Sequence, residues 1–380
     1  MEDFQNTTNI TYTSEELFQS LEALGPKMQI FLIILYSFTA LLALGGNATV
    51  IVVLLLGKRS SRELRTFLVN LAVSDVCMAL FSIPFTYTDF MLGRWIFHPM
   101  FCPFVQFMQH VSVIASVYTL TVIGLDRYYA IMYPLSLRWT KSRGPLIMIA
   151  IWIAAFSLST FQLIHGKAEK FSVRGQEFYD CTEVWEELDG KVYTALVFVI
   201  TFVLPMLVLT FTYSSIGWKM WRHTSPGNAD ASRDHQQLMA KMKVVKMMAT
   251  VVILFAVCWL PIHIFNLLIY FDRSLVMPQS DSDFMNFTAA FFSCHWISMA
   301  NSFANPIIYC FMSENFRADL KQLIFCCCCS GRPHPRGRRL KNHIDHSSFR
   351  TTTLVLSSCS VKHAPGSIPL RSMHVDMYPK

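Results

Sequence analysis

Charge is what this sequence has little of: Asp, Glu, Lys and Arg make up 15% of its 380 residues, against roughly 25% in soluble proteins. With 53% hydrophobic residues and a mean hydropathy of +0.38, the chain has more apolar surface than a soluble core of its length needs. No basic stripe with interleaved aromatics is present, so the net charge of +7 does not point to a nucleic-acid partner. The basic residues sit instead in short segments between apolar runs. The first residues lack a charged-then-apolar stretch ending in a small-residue cleavage site, so a cleaved signal peptide is not expected. No internal repeat of the transporter kind is found, which argues against a channel or transporter. No His/Asp or Glu cluster gathers at one depth, so the chain is not expected to be an enzyme and no cofactor is expected beyond a bound sodium ion.

What is present is a series of apolar runs. A helix needs about 20 mostly apolar residues to cross the hydrocarbon of a bilayer, and segments near 29–57, 66–90, 100–132, 145–165, 192–218, 244–271 and 287–311 meet that length. The expected fold is an all-α membrane protein, a seven-transmembrane helix bundle followed by a short amphipathic helix. Pro84, Pro205, Pro261 and Pro306 interrupt spans, which a membrane helix tolerates where neighbours satisfy the freed carbonyls. Lys58, Arg59, Arg62 and Arg65 follow the first span, Arg138, Lys141 and Arg143 the third, and Lys219, Arg222, Arg233, Lys241, Lys243 and Lys246 the fifth. By the positive-inside rule those loops are cytoplasmic and the N-terminus is outside. Glycosylation sequons at Asn6, Asn9 and Asn286 fall on the same outer face.

The 11 cysteines fit this topology. Cys102 and Cys181 lie on the oxidising side and can pair, whereas Cys77, Cys258, Cys294 and Cys310 read as small buried hydrophobes. Between Ser313 and Phe325 the apolar residues Phe316, Leu320, Leu323 and Ile324 fall near one helical face. The run Cys326, Cys327, Cys328 and Cys329 follows, and cysteines beside such a helix at the membrane surface are expected to be palmitoylated. Four adjacent thiols lack the two-residue spacing of zinc ligands. The expected organisation is therefore an extracellular glycosylated N-terminus over 1–28, the bundle over 29–311, the amphipathic helix and cysteines over 312–329, and a disordered tail over 330–380. Ser347, Ser348 and Thr351 to Thr353 in that tail are candidate phosphorylation sites.

Ionisable groups inside a span are costly and mark function by default. Asp75 stands mid-span, with Asn47, Ser116, Asn301, Ser302 and Asn305 at comparable depth in other spans. Their oxygens form a candidate sodium site of Asn47, Asp75, Ser116, Asn301 and Asn305, with a hydrogen-bonded structural knot as the alternative. In the third span, one and two turns on from Cys102, Gln109 stands at the facing position and no carboxylate is there to hold an ammonium, so an amine ligand is disfavoured. The seventh span has no lysine between Phe287 and Cys310, which excludes a Schiff-base chromophore. Gln109, His110, His263, Asn266 and His295 form a polar set suited to hydrogen-bonding amides. Acidic residues around the expected outer mouth, including Glu177, Asp180, Glu183, Glu186 and Asp189, would concentrate a cationic or neutral amidated peptide.

One motif per span completes the pattern. Gly46-Asn47, Leu71-Ala-Val-Ser-Asp75, Asp126-Arg127-Tyr128, Trp152, Pro205 with Tyr213, Phe255-Ala-Val-Cys-Trp259-Leu-Pro261 and Asn305-Pro306-Ile-Ile-Tyr309 follow in order. Together they resemble the signature of class A, rhodopsin-like G-protein-coupled receptors, over about residues 29–328. The resemblance implies that Arg127 is held by Asp126 at rest and meets a heterotrimeric G protein when active, supported by Tyr213 and Tyr309. It implies that Trp259, above the Pro261 kink, passes ligand binding on through Phe255, and that Leu135 of Pro134-Leu135 inserts into the G protein. An agonist then acts by binding the open state better.

Two positions depart from the pattern. Lys241 stands where an acidic residue often latches Arg127, and no proline occurs in Ala154 to Ile164. Lys241-Met-Lys-Val-Val-Lys-Met-Met248, Cys258-Trp-Leu-Pro-Ile-His263 and Asn305 to Cys310 resemble the tachykinin-receptor group. Cys102-Pro-Phe-Val-Gln106 and Ser225-Pro-Gly-Asn-Ala229 with Ser232-Arg-Asp234 resemble invertebrate leucokinin-type receptors. Neuropeptide-Y-like and RYamide-like receptors share much of this. The expectation is a plasma-membrane receptor, in contact with membrane lipid, for a short amidated neuropeptide, coupling to the Gq class and calcium release.

Overall fold

The computed structural model describes residues 24–59, 62–133, 139–173, 175–222, 231–272 and 280–329. Asn6, Asn9, Leu135 and the tail from 330 lie outside the described residues. The described chain is a bundle of long helices. Six are long and apolar enough to cross a membrane. The seventh, Asp281–Met312, is a 32-residue helix that is less apolar because Asn286, His295, Asn301, Ser302 and Asn305 lie along it. It packs on the sixth, first and second spans and completes the ring.

Each span buries one stripe and shows the rest to the bilayer. In the first, Pro26–Leu56, the buried residues Leu32, Tyr36, Thr39, Ala43, Asn47, Val50 and Val53 recur every three or four positions, the repeat of one helix face. Ile30, Phe31, Ile34, Phe38 and Leu41 are exposed, an arrangement stable only against lipid. Gly46 lets the first span approach the seventh: a methyl group there would come within about 3.0 Å of the Pro306 ring.

Prolines set the bends. In the second span, helix Arg62–Phe81 passes into Ile83–Leu92 through Ser82, whose φ of −115° departs from the helical value. Pro84, two residues on, lacks an N–H and its ring crowds the preceding turn. In the fifth span, Glu187–Phe198 and Leu204–Trp221 are joined by a π turn, Val199–Val203. The amide of Leu204 donates to the Val199 carbonyl, a wider turn that absorbs Pro205. The third span, Phe101–Met132, is the hub and packs on the second, fourth and fifth. The fourth, Trp139–His165, runs helical through the stretch without proline, and the sixth, Ala231–Phe271, contains Pro261.

Between the fourth and fifth spans the chain forms a hairpin that sequence reading treated only as a large loop. Strand β1, Gly166–Val173, pairs antiparallel with β2, Gln176–Glu183, in the register Ala168 opposite Cys181. Gly175 turns it with φ of +84°, a value that favours glycine. Cys102 and Cys181 form a disulfide, with Cα atoms 5.5 Å apart. The Trp95 amide donates to the Tyr179 carbonyl at 2.7 Å. The hairpin is thereby fixed over one end of the bundle, here called the disulfide end.

At the opposite end, named for Arg127, a helix from Glu314 to Cys329 follows the seventh span. Phe316 is buried and Leu320 and Leu323 pack against the core, while Ile324 is 54% exposed, so the packed face stops one residue short of the predicted stripe. Arg59 ties this helix to the first span through Asp319 at 2.5 Å, and Lys243 of the sixth span reaches Glu314 at 2.7 Å. That ion pair lowers the Glu314 carboxyl below its ordinary range.

Candidate functional site

Asp75 is buried, and among the described residues no cationic side chain pairs with it. Asn305 Nδ2 of the seventh span donates to Asp75 Oδ2 at 2.8 Å. Asn47 Nδ2 of the first span donates to the Ser302 carbonyl at 2.7 Å. Three spans are thus joined across the middle of the bundle. Ser116 and Asn301 are buried too, but neither side chain is hydrogen-bonded to Asp75. Asn47 Oδ1 and Ser116 Oγ are buried without a partner. Carboxyl, amide and hydroxyl oxygens are hard donors, the chemistry that suits a cation such as sodium rather than a soft metal. No group of three or more His, Cys, Asp or Glu side chains that could hold a metal occurs among the described residues.

A second knot ties the second, third and fourth spans. Asn70 Nδ2 donates to Thr119 Oγ1 at 2.6 Å and Trp152 Nε1 donates to Asn70 Oδ1 at 2.8 Å. Each polar group left in a hydrocarbon setting must find a partner inside the protein, and this pairing accounts for Trp152 in the sequence motif.

Towards the Arg127 end, Arg127 pairs with Asp126, its neighbour in the chain. Its Nε has no partner, and neither do the buried hydroxyls of Tyr213 and Tyr309. Arg127 and Tyr309 line a cavity of about 280 Å³ with Val244, Met247 and Phe316. The third span ends on Tyr133, and Lys219 Nζ of the fifth donates to the carbonyls of Ile131 and Met132 at 2.8 and 2.9 Å. These are last-turn carbonyls with no helical partner, where a cation is favoured. Tyr128 packs edge-on to Tyr129 and Tyr133. The side chain of Lys241 lies outside the described residues, as do those of Cys326 to Cys329, although their backbone is helical.

At the disulfide end Gln109, His110, His263, Asn266 and His295 line one cavity of about 100 Å³. The third, sixth and seventh spans supply them, and Thr201 and Phe198 of the fifth complete the wall. The residues meet because His263 and Asn266 are three apart on one face of the sixth span. His263 packs between Phe198 and Phe202, each ring centroid 5.5 Å away. Below it the column continues through Trp259 at 6.2 Å and from there to Phe255 at 5.9 Å. Trp259 lines the cavity and its Nε1 has no partner. This column runs beside Pro261, where the helix has lost a backbone donor.

Some members of this site are not visible in the sequence motifs. Tyr36 of the first span is fully buried, with its hydroxyl 2.9 Å from His295 Nδ1 and its ring stacked 4.6 Å from Tyr87. A lone tyrosine within an apolar run was its only signal. Thr86 Oγ1 donates to Gln109 Oε1 at 3.4 Å, a contact that the bend at Ser82 brings about. Burial raises the Asp180 carboxyl above its ordinary value, while the Cys181 backbone hydrogen bond opposes the shift. Asn286 is exposed on the second turn of the seventh span.

Comparison with known proteins agrees with this geometry. The family model of the seven-transmembrane receptors of the rhodopsin family matches residues 46–309. A RYamide receptor of Drosophila melanogaster is 35% identical over 78% of this chain and 63% of that receptor, so the chain spans less than two thirds of that relative's length. A RYamide receptor of Tribolium castaneum is 34% identical over 78% of this chain and 81% of its own. The substance-P receptor of Mus musculus is 32% identical over 85% of this chain and 77% of its own.

Proposed function

The chain belongs to the rhodopsin family of seven-transmembrane receptors, and from that premise we propose that it is a plasma-membrane receptor for a short amidated neuropeptide that activates a heterotrimeric G protein. The observation that carries the reading is the single cavity in which Gln109, His110, His263, Asn266 and His295 converge with Trp259 as part of the wall. Neutral donors and acceptors without a carboxylate suit the amides of a peptide backbone and a carboxamide terminus, not a lone ammonium. Relatives named for RYamide and for substance P both answer to peptides, and the sequence motifs lean towards the tachykinin and leucokinin type. The RYamide type is the second reading, favoured by the two insect relatives.

In this reading the disulfide end faces outwards, with Asn6, Asn9 and Asn286 glycosylated, and the Arg127 end faces the cytoplasm. Peptide binding displaces the His263, Trp259 and Phe255 column, and the sixth span pivots at Pro261. Arg127 leaves Asp126 for the G protein, with Tyr213 and Tyr309 supplying their unpaired hydroxyls and Leu135 inserting beside it. Asp75, with Asn47, Ser116, Asn301 and Asn305, would hold a sodium ion, which would supply positive charge beside the buried carboxyl in the resting state. Pro306 provides the second bend through which the seventh span moves. Palmitate on Cys326 to Cys329 anchors the terminal helix, and receptor kinase and arrestin act on the tail.

Calcium imaging of cells expressing the chain tests the proposal. A panel of amidated peptides including substance P, leucokinin-type and RYamide-type sequences should contain an agonist active through Gq. Currents or substrate uptake without any G protein would replace the receptor reading.

A further inference from the structure

Three histidines line the cavity at the disulfide end, and the partner that each Nδ1 meets decides what its Nε2 can offer. A neutral imidazole carries one donor and one acceptor. His110 Nδ1 lies 3.0 Å from the Gln106 backbone carbonyl. A carbonyl can only accept, so this nitrogen carries the proton and His110 Nε2 is an acceptor. Gln162 Nε2 stands 3.5 Å from it and also donates to the Tyr193 hydroxyl at 3.0 Å. One amide group of the fourth span thus takes up the acceptor of His110 and ties it to the fifth.

His295 is set the other way. Its Nδ1 lies 2.9 Å from the Tyr36 hydroxyl, which is 3.4 Å from the Phe292 carbonyl. That carbonyl already accepts the backbone amide four residues on within the seventh span, and 3.4 Å is long for a hydroxyl bond. The Tyr36 proton therefore goes to Nδ1, and the proton of His295 sits on Nε2. Tyr36 is fully buried and stacked on Tyr87, while His295 is 3% exposed and stacked on Phe291 at 5.5 Å, so neither ring turns freely. His295 Nε2 is buried without a partner, as is Trp259 Nε1, and both side chains line the cavity. An indole N–H can only donate. Two buried donors thus share one cavity, and an unmet buried donor is costly.

We propose that Tyr36 is a positioning residue of the ligand cavity: its hydroxyl holds His295 as the Nε2–H tautomer, so that His295, with Trp259, donates to a carbonyl oxygen of the ligand. Without that hydroxyl His295 can carry its proton on Nδ1 instead and turn an acceptor towards the ligand carbonyl, replacing attraction by repulsion. Among the described residues no Lys or Arg lines the cavity, so a neutral carbonyl is favoured over a carboxylate, whose charge would be buried unpaired. The role of the ligand carbonyl rests on the proposed function; the tautomer of His295 does not.

The experiment uses the full chain in liposomes, with isotope-labelled histidine and nitrogen NMR in the solid state. One histidine is expected with Nε2 protonated and Nδ1 accepting a hydrogen bond, its signals lost in His295→Ala and its Nδ1 resonance displaced in Tyr36→Phe. A His295 protonated at Nδ1, or a resonance indifferent to Tyr36→Phe, overturns the proposal, and the wild-type spectrum decides even where Tyr36→Phe folds poorly. Calcium responses to substance P and to a RYamide-type peptide give the second reading. Tyr36→Phe should raise the half-maximal concentration of the active peptide about tenfold, which corresponds to ~1.4 kcal/mol, and should add nothing in the His295→Ala background, because the tyrosine acts through the histidine. Additive losses in the two backgrounds would mean a merely structural tyrosine and overturn the positioning role. Silence of the wild type to both peptides would count against the receptor reading, while the NMR arm still decides the tautomer, so the two failures are distinguishable.

Discussion

Arg127 holds its neighbour Asp126 while its Nε and the hydroxyls of Tyr213 and Tyr309 stay buried without partners. Unpaired buried donors are costly, and here they gather where a second arrangement would satisfy them. Arg127→Ala should abolish nucleotide exchange and leave peptide binding; exchange at the normal rate would remove the residue from its proposed role. Asp75 is the other residue whose burial calls for a functional account. Asp75→Asn keeps the shape and the Asn305 contact but deletes the charge, so sodium should no longer weaken agonist binding, as read by radioligand competition in sodium and in N-methylglucamine. An unchanged sodium response would dispose of the cation site. Both residues were legible in the sequence because a charge inside an apolar run stands out. Tyr36, Thr86 and Gln162 were not, since their polar atoms matter only through partners on distant elements.

Elements are held at their ends as much as along their faces. Lys219 caps the last carbonyls of the third span, where sequence reading counted it only among the cytoplasmic charges. Lys219→Met should lower the receptor's stability by about 1 kcal/mol, measured as a fall of a few degrees in the detergent melting temperature; no shift would mean the lysine is merely lying there. The hairpin is held by Cys102–Cys181 and by the Trp95 amide. Cys181→Ala should free it and raise the peptide Kd at least tenfold, while full affinity would show that the hairpin does not shape the ligand cavity. The strands themselves escaped sequence reading because their alternation is weak and half of their residues are polar; only Gly175 marked the turn. The break at Ser82 and the π turn before Pro205 were foreshadowed by prolines, but a proline states that a bend is needed and not which form it takes.

At the scale of the whole molecule, the described spans surround a column of contacts that runs from the cavity at the disulfide end through His263, Trp259 and Phe255, and Arg127 and Tyr309 share a cavity at the other end. Epitope tags at the two ends of the chain test the proposed orientation: antibody should reach the N-terminal tag on intact cells and the C-terminal tag only after permeabilisation. Both tags on one side would be incompatible with seven crossings.

Hydropathy, basic loops and one motif per span determined the class of fold without any coordinates, because partitioning into lipid and the cost of a buried charge are properties of each segment taken alone. The gathering of five polar side chains into one cavity, the unpaired hydroxyls around Arg127 and the hydrogen bond between Tyr36 and His295 were decided only by the tertiary structure. Those features depend on helix rotation, bend and separation, which arise from packing between segments far apart in the chain and leave no periodic trace within any one of them.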